Sequence, residues 1–192
     1  NDGSAIPARI DVGESFNIKV DGAKVYFYSD NKEVATVGKK NGLLTAVGPG
    51  SVKIKGVNQS TGKTIATKTI NVCLRATSVT PSESEIYLTD IGSTAEISVV
   101  LTPSNSTDII RYVSDNKDVA TVNMKTGVVT AEGEGTATIT IYSKRTAASS
   151  ADDEGTLTAT VRVTVGKFLS SVSARTDQTI EVKFTQGVSS LT

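Results

Sequence analysis

The sequence predicts an all-β protein built from two tandem β-sandwiches, and three observations support this. Residues 29–37 read SDNKEVATV and recur 85 residues later as SDNKDVATV, with 15 identities in 29 positions when residues 29–57 are aligned with residues 114–142. Such a spacing indicates duplicated whole domains, because solenoid repeats have periods of about 20–50 residues. The 27 threonines and 23 valines favour strands, since β-branched side chains suit a pleated surface. No segment shows a convincing helical period of apolar residues.

The first copy, repeat 1, contains six runs of apolar and β-branched residues separated by turn residues. These runs are residues 15–20, 24–28, 34–37, 43–46, 51–57 and 64–72. The segment before Ile10 is shorter than the corresponding start of the second copy. The alternation of apolar and polar residues therefore does not define the first strand of repeat 1. Asn41-Gly42 between two of the runs is the strongest two-residue signal for a tight hairpin. We expect the glycines at such turns to supply a positive φ or a close backbone approach.

The second copy, repeat 2, contains seven such runs in the same order. They are residues 86–88, 95–101, 109–113, 119–122, 128–131, 137–142 and 157–165. Thr126-Gly127 replaces Asn41-Gly42, and Gly133-Glu134-Gly135 replaces the earlier Gly48-Pro49-Gly50. About seven short strands per repeat, with turn signals every 8–12 residues, are typical of an immunoglobulin-like sandwich.

Domain boundaries follow from the ends of the two repeats. We expect one immunoglobulin-like domain over residues 1–74 and a second over residues 75–166, joined by linkers too short to act as flexible tethers. Tightly joined sandwiches predict an extended rod. Residues 167–192 do not match the repeat and contain two further strand signals, residues 169–174 and 179–185. They are interpreted as a partial third β unit, either the start of a third immunoglobulin-like domain or a C-terminal β stub that pairs with repeat 2.

The two repeats differ in one long loop. Repeat 2 carries 8 extra residues between its last two strands, within residues 143–156, and this loop contains Asp152, Asp153 and Glu154. A calcium site is one interpretation of the three acidic residues, because Ca²⁺ takes several oxygen ligands from flexible loops. Ordinary solvated loop charges are a second interpretation, and a catalytic role is a third.

Two repeated Asp-Asn pairs also have alternative interpretations. Asp30-Asn31 and Asp115-Asn116 occupy equivalent positions in the two repeats. Their side chains suit turns, because Asx side chains bond their own backbone. A calcium site or an inter-domain contact is the alternative.

Composition excludes several classes of function. The chain has no histidine, which removes a Ser-His-Asp triad and the commonest zinc ligand. Its 20 basic and 20 acidic side chains are interspersed, so no basic stripe for nucleic acid is present, and no apolar run is long enough to span a membrane. The single cysteine, Cys73, rules out an intramolecular disulfide and is expected to be a core thiol, with an intermolecular disulfide or a modified thiol as the alternative. The first residues, NDGSAIPARI, lack the features of a signal peptide, so we expect a removed signal or an internal fragment.

A set of residues in a fixed order points to a family. In repeat 1 the set is Val12-Gly13-Glu14, Phe27, Ser29-Asp30-Asn31, Ala35-Thr36-Val37, Gly42, Leu44-Thr45-Ala46 and residues 50–54. In repeat 2 it is Tyr112, Ser114-Asp115-Asn116, Ala120-Thr121-Val122, Gly127, Val129-Thr130-Ala131 and residues 135–139. Each repeat resembles the group-2 bacterial immunoglobulin-like domain, although phenylalanine and tyrosine stand where that family usually has tryptophan.

The resemblance carries expectations about function. It implies an extracellular protein of the bacterial cell surface or cell wall, of the S-layer type, in which the chain is a non-catalytic structural module. The module would act as a rigid spacer and a self-assembly contact, with edge strands and the 143–156 loop as the candidate contact regions. Its partners would be other copies, neighbouring domains of the same protein, or cell-wall or host ligands. The alternatives are an adhesin stalk that binds a host protein or glycan, and an accessory domain of a secreted enzyme.

Overall fold

The fold is all-β, as the sequence predicts. In a computed structural model, residues 7–22, 24–145 and 156–166 are described in full, and residues 169–176 and 179–184 by their backbone alone. No helix occurs among these residues. The strands of repeat 1 are β1 (Arg9–Asp11), β2 (Ser15–Asn17), β3 (Val25–Ser29), β4 (Ala35–Val37), β5 (Leu43–Ala46), β6 (Gly50–Asn58) and β7 (Thr64–Cys73).

The strands of repeat 2 follow in a similar order. They are β8 (Ser78–Pro81), β9 (Glu85–Leu88), β10 (Thr94–Glu96), β11 (Val99–Thr102), β12 (Ile109–Ser114), β13 (Ala120–Val122), β14 (Val128–Ala131), β15 (Gly135–Lys144) and β16 (Leu157–Val165). The last two strands are β17 (Leu169–Thr176) and β18 (Thr179–Phe184), which pair antiparallel with each other. The prediction of two strands in the tail is confirmed, while a third domain there stays a prediction.

The chain divides into two compact units. Unit 1 contains the described parts of Asn1–Ser78, Leu101–Asp108 and Arg145–Ala148. Unit 2 contains Val79–Val100, Ile109–Lys144 and the described part of Ser149–Thr192. The predicted domain boundaries at residues 74 and 166 stay predictions.

Both repeats have the same sheet topology. Repeat 1 has a four-stranded sheet in the order β1-β7-β6-β3, in which β1 is parallel to β7, and a three-stranded sheet in the order β2-β5-β4. Repeat 2 has the matching sheets β9-β16-β15-β12 and β10-β14-β13, with β9 parallel to β16. A further pair, β8 and β11, has no counterpart among the described strands of repeat 1. The internal repeat in the sequence is therefore a repeat of strand order and sheet pairing.

The prediction of one strand over residues 95–101 is wrong. β10 pairs with β14, whereas β11 pairs with β8 in a different sheet. The break falls at Ile97 and Ser98: the Ile97 amide donates to the Gly127 carbonyl at 3.1 Å, and the Ser98 carbonyl accepts from the Ser82 amide at 2.9 Å. The chain thus changes sheets without losing its backbone hydrogen bonds.

Two short strands escaped the sequence pattern. β1 is the first described strand of repeat 1, and β8 rather than residues 86–88 opens repeat 2. Each has only three or four residues, so the alternation of buried and exposed positions is too short to stand out.

Each repeat has its own apolar core. The core of repeat 1 contains Ile10, Ile18, Val25, Phe27, Val34, Ala35, Leu44, Ala46, Val52, Ile54, Ile70 and Val72. The core of repeat 2 contains Ile86, Leu88, Ile97, Tyr112, Val119, Ala120, Val129, Ala131, Ala137, Ile139, Ile141, Val161, Val163 and Val165. Cys73 is buried as a free thiol at the end of β7, which confirms the predicted core position.

A hairpin glycine lies beneath the core aromatic residue in each repeat. Gly42 has φ 66° and Gly127 has φ 75°, a region that side chains of L-residues rarely adopt. A Cβ atom on Gly127 would lie 2.7 Å from Cζ of Tyr112, and one on Gly42 would meet the Ile18 carbonyl and the Phe27 ring. The prediction that these glycines serve a backbone role is confirmed.

Replacing Gly42 by alanine should destabilise unit 1 by about 3 kcal/mol, because a left-handed conformation and a steric clash both add to the cost. Gly62 provides a matched control, since its φ is 69° and a Cβ atom at this position would meet no atom within 4 Å. Gly62→Ala should therefore cost only about 1 kcal/mol. Urea unfolding of both variants measures the difference, and equal losses would refute the steric part of the explanation.

Candidate functional site

The predicted acidic site lies outside the described residues. Asp152, Asp153 and Glu154 fall within residues 146–155, so their role stays a prediction. The strands that flank this loop do form a hairpin, with Ser143 opposite Leu157. Within the described part of the chain, no group of three or more cysteine or acidic residues is arranged to hold a metal ion.

The serine of the repeated Ser-Asp-Asn sequence holds the corner between the two sheets. In repeat 1, Ser29 Oγ donates to the Ala35 carbonyl at 2.6 Å, across the turn from β3 to β4. In repeat 2, Ser114 Oγ donates to the Ala120 carbonyl at 2.7 Å, and Ser114 is buried. The hydroxyl thus bonds a strand that lies in the opposite sheet.

The side chain of the neighbouring aspartate accepts a hydrogen bond from an amide of the adjacent strand, where the backbone pairing of the sheet ends. Asp30 Oδ1 accepts from the Lys53 amide at 2.8 Å, and Asp115 Oδ1 accepts from the Thr138 amide at 2.7 Å. The Asp30 amide also donates to the Lys53 carbonyl, and the Asp115 amide also donates to the Thr138 carbonyl. Each carboxylate therefore extends the pairing between the corner and the adjacent strand.

The asparagine completes the corner as an Asx turn. Asn31 Oδ1 accepts from the Glu33 amide at 3.0 Å, and Asn116 Oδ1 accepts from the Asp118 amide at 3.2 Å. The prediction that these residues form turns is confirmed. Oδ1 of each aspartate and asparagine in the two corners accepts from a backbone amide, so the repeated motif supports the local fold.

A second polar cluster fixes the segment after β7. The Asp108 side chain is only 1% exposed, and its Oδ1 lies 2.8 Å from Arg75 Nε. Its Oδ2 accepts from the Ala76 amide at 3.2 Å. Thr107 Oγ1 accepts from the Leu74 amide at 3.0 Å, and the Thr107 amide donates to the Leu74 carbonyl at 2.8 Å. All of these residues belong to unit 1, where residues 107 and 108 hold the conformation of Leu74–Ala76.

Unit 2 has an apolar cleft between β12 and β13. The cleft has a volume of 320 Å³ and is lined by Tyr112, Val113, Ser114, Lys117, Thr121, Val122 and Met124. Val113 is 46% exposed and Met124 is 53% exposed, so two apolar side chains of the cleft face solvent next to each other in the lining. The cleft borders an edge strand, since β12 ends the order of its sheet.

The floor of this cleft includes the core tyrosine. Tyr112 Oη donates to the Ile97 carbonyl at 3.2 Å. Burial raises the pKa of Tyr112 above its ordinary value of 10.0, and the carboxylate of Glu96 raises this pKa further. Tyr112 is therefore a neutral hydrogen-bond donor at physiological pH, and its role is structural.

The same place in unit 1 has a different surface. There Tyr28 replaces Val113 and Lys39 replaces Met124. Lys39 Nζ lies 4.7 Å from the ring centroid of Tyr26 and 5.6 Å from that of Tyr28. A cation held over two rings covers this surface, since such contacts are attractive. The exposed apolar cleft is thus a feature of unit 2.

Sequence reasoning missed both Asp108 and Met124. The signal for Asp108 was the polar run Ser-Asn-Ser-Thr-Asp at residues 104–108, which resembles many ordinary loops. The signal for Met124 was a difference between the repeats. Met124 is the only methionine in the chain, and it stands where repeat 1 has Lys39.

The family follows from a comparison with known domain families. The model of the bacterial Ig-like domain (group 2) matches residues 11–69 and again residues 76–153, which is more than half of the chain. The chain belongs to this family and carries its domain in tandem. A comparison with curated protein sequences found no significant match.

Several solved structures are similar to this chain. Domains 4 and 5 of the S-layer protein SbsC are 24% identical, over 77% of this chain and 73% of that chain, with a TM-score of 0.38. A C-terminal fragment of intimin, solved with the intimin-binding domain of its translocated receptor, is 15% identical over 81% and 58%, with a TM-score of 0.41. The chain spans 23% of a longer SbsC fragment, to which it is 23% identical over 86% of its own length, with a TM-score of 0.38. At these identities and TM-scores, no role follows from the likeness.

Replacing Asp108 by asparagine should destabilise unit 1 by about 2–3 kcal/mol. Asparagine offers one acceptor oxygen, whereas both carboxylate oxygens of Asp108 accept from nitrogen donors. Glu85→Gln is the matched control, because its pair with Arg162 is exposed and 3.9 Å long, and it should change stability by under about 0.5 kcal/mol. Chemical unfolding gives both values, and a loss for Asp108→Asn no larger than the control's would contradict this account.

Proposed function

We propose that the chain is a non-catalytic structural module of a bacterial cell-surface protein of the S-layer type. The observation that carries the proposal is the use of the polar residues common to both repeats. Ser29, Asp30, Asn31 and their counterparts all bond backbone groups at the sheet corners. A duplicated domain whose shared polar side chains support the fold is suited to a structural role.

A spacer role is supported by how each repeat is stabilised. Each repeat has its own apolar core, and the single cysteine cannot form a disulfide within the chain. The buried Asp108 and its neighbours hold Leu74–Ala76 in one conformation. We propose that the chain acts as a rigid spacer outside the cell. The described residues contain no helix long and apolar enough to cross a membrane.

The self-assembly contact is proposed at the apolar cleft of unit 2. Val113 and Met124 expose apolar surface beside the edge strand β12, where side-chain packing is available to a partner. The occupant we propose is a second copy of the chain. Repeated surface proteins present the same patch at high local concentration, so a weak contact is sufficient for assembly.

Calcium binding by Asp152, Asp153 and Glu154 remains part of the proposal. Three adjacent acidic residues supply oxygen ligands, and neighbouring copies or domains would complete the coordination of Ca²⁺. No ligand set in the described residues competes with this loop for a metal.

Charge placed in the cleft should prevent self-association. Val113→Glu and Met124→Glu together should shift sedimentation of concentrated protein from an associating mixture to monomer, because a buried carboxylate at a contact is costly. Ile65→Glu is the control, since Ile65 is also exposed, at 45%, and belongs to unit 1. This control should associate like the unaltered chain.

Two results would count against this role. If the unaltered chain stays monomeric at millimolar concentration, the self-assembly contact is wrong. If that monomer binds matrix proteins or glycans, an adhesin stalk becomes the better description. Loss of association in the Ile65→Glu control would show a general effect of charge and would remove the assignment to the cleft.

Removal of two acidic side chains tests the calcium proposal. Millimolar Ca²⁺ should raise the melting temperature of the unaltered chain, and Asp152→Ala with Asp153→Ala should abolish the rise, because ligand binding stabilises only the folded state that holds the site. Asp30→Asn is the control, since Asp30 already accepts a backbone bond. An equal calcium effect in the double variant, or no effect in the unaltered chain, would reject the site.

A further inference from the structure

One face of unit 1 combines tyrosines with lysines. Along β3, Phe27 is buried, whereas Tyr26 and Tyr28 lie on the opposite side of the strand. Along β6, Lys53 and Lys55 alternate with buried apolar residues and are exposed. Tyr28 stands directly opposite Lys55 in the register of the two strands. Because side chains alternate between the two faces of a sheet, these two tyrosines and two lysines share the face that points away from the core.

A third lysine is held beside these residues by the backbone. The Phe27 amide donates to the Lys39 carbonyl at 2.9 Å, which places Lys39 at the edge of β3. Lys39 Nζ lies 4.7 Å from the ring centroid of Tyr26 and 5.6 Å from that of Tyr28. One cation is therefore positioned before any ligand arrives, and a positioned group loses less entropy on binding. The five residues Lys39, Lys53, Lys55, Tyr26 and Tyr28 are called the lysine-tyrosine face.

The lysine-tyrosine face has an excess of positive charge. Its three lysines are exposed, and none of them forms an ion pair with a residue that the structure describes. One carboxylate, that of Asp30, borders the face, and its Oδ1 accepts from the Lys53 amide at 2.8 Å. Three exposed cations beside one carboxylate favour an anionic ligand.

The neighbouring strand adds hydroxyl groups next to the lysines. On β7, Thr67 stands opposite Lys55 and Thr69 stands opposite Lys53. Both threonines are exposed. The lysine-tyrosine face thus continues into a neutral surface of hydroxyl groups, which donate and accept hydrogen bonds.

Repeat 2 has the same strands with different residues at these positions. Met124 replaces Lys39, Thr138 replaces Lys53 and Thr140 replaces Lys55. In the same repeat, Arg111 and Val113 replace the two tyrosines. Since repeat 2 forms the same sheet without the three lysines, the fold does not require them. They are therefore available for a ligand that repeat 2 does not bind.

We propose that the lysine-tyrosine face binds an anionic polysaccharide, a sugar polymer that carries carboxylates along its chain. Lys53 and Lys55 are two residues apart on one strand, with Cα atoms about 7 Å apart, so they meet carboxylates of one extended polymer. The tyrosine and threonine hydroxyl groups exchange hydrogen bonds with the sugar hydroxyl groups, which an acidic peptide lacks. The site lies in unit 1 and does not depend on the proposed self-assembly through unit 2.

Oligogalacturonate, a short chain of galacturonic acid residues, is the probe of this chemistry. Added to the ¹⁵N-labelled full chain at low ionic strength, it should shift the amide signals of Tyr26–Tyr28 and Lys53–Lys55. The signals of residues 111–113 and 138–140 should stay unchanged. Salt at about 0.5 M should remove the shifts, because exposed charges are screened. The fully methyl-esterified oligomer has the same sugars without the charges and should give no shifts.

Exchange of residues between the repeats tests the role of the lysines. Lys53→Thr with Lys55→Thr should weaken oligogalacturonate binding about tenfold, and the fold should be kept because repeat 2 has threonine at both positions. Lys68→Thr with Lys125→Thr is the matched control, since it removes the same charge elsewhere. Lys68 stands opposite the buried Ile54 and so points to the other side of the sheet, and Lys125 belongs to unit 2. The control should bind like the unaltered chain.

Three outcomes would overturn the proposal. Absence of shifts at Tyr26–Tyr28 and Lys53–Lys55 with millimolar oligogalacturonate would show that this face accepts no such polymer. Equal weakening by the control pair would show a general effect of net charge. Equal affinity for an oligoglutamate peptide of the same length would show that the face selects carboxylates and not sugars.

Discussion

The fold depends on satisfying backbone groups where the chain passes from one sheet to the other. At each such corner the strand leaves its ladder, and buried amides and carbonyls without partners would cost about 1–3 kcal/mol each. The Ser-Asp-Asn corner meets this constraint with three side chains: the serine bonds the next sheet, the aspartate bonds the adjacent strand, and the asparagine closes the turn. Substitution of any one leaves a backbone group unpaired, which explains why this stretch is the most similar part of the two repeats.

This constraint also separates the residues that build the domain from those that can serve function. The residues that the repeats share form the sheet corners, the turns and part of the core. They therefore cannot give the two repeats different surfaces. Some of what they do not share lies on surfaces: Met124 stands where repeat 1 has Lys39, and Lys19 stands where repeat 2 has Ser98. A duplicated domain can change such positions at little cost in stability, because surface substitutions usually change it by under about 0.5 kcal/mol. Surface differences between the repeats are therefore a better guide to binding than the residues that the repeats share.

Much of the fold could be predicted from the sequence because its signals are local. Alternation identified most strands, and hairpin glycines such as Gly42 and Gly127 marked turns whose backbone only glycine suits. The change of sheet within residues 95–101 was hidden, since Ile97, Val99 and Leu101 keep the same alternation on both sides of the break. Alternation records which side of the chain faces the core, and this side does not change when the strand moves to the other sheet.

The candidate sites were harder to predict because they arise from contacts distant in sequence. Asp108 is significant only because the fold brings it to Arg75 and Ala76. Likewise, the exposed cleft of unit 2 is visible only when the fold places Val113 beside Met124, and the same place in unit 1 holds Tyr28 and Lys39. Lys39 lies over two aromatic rings there, so a lysine in one repeat and a methionine in the other give the same backbone two different surfaces.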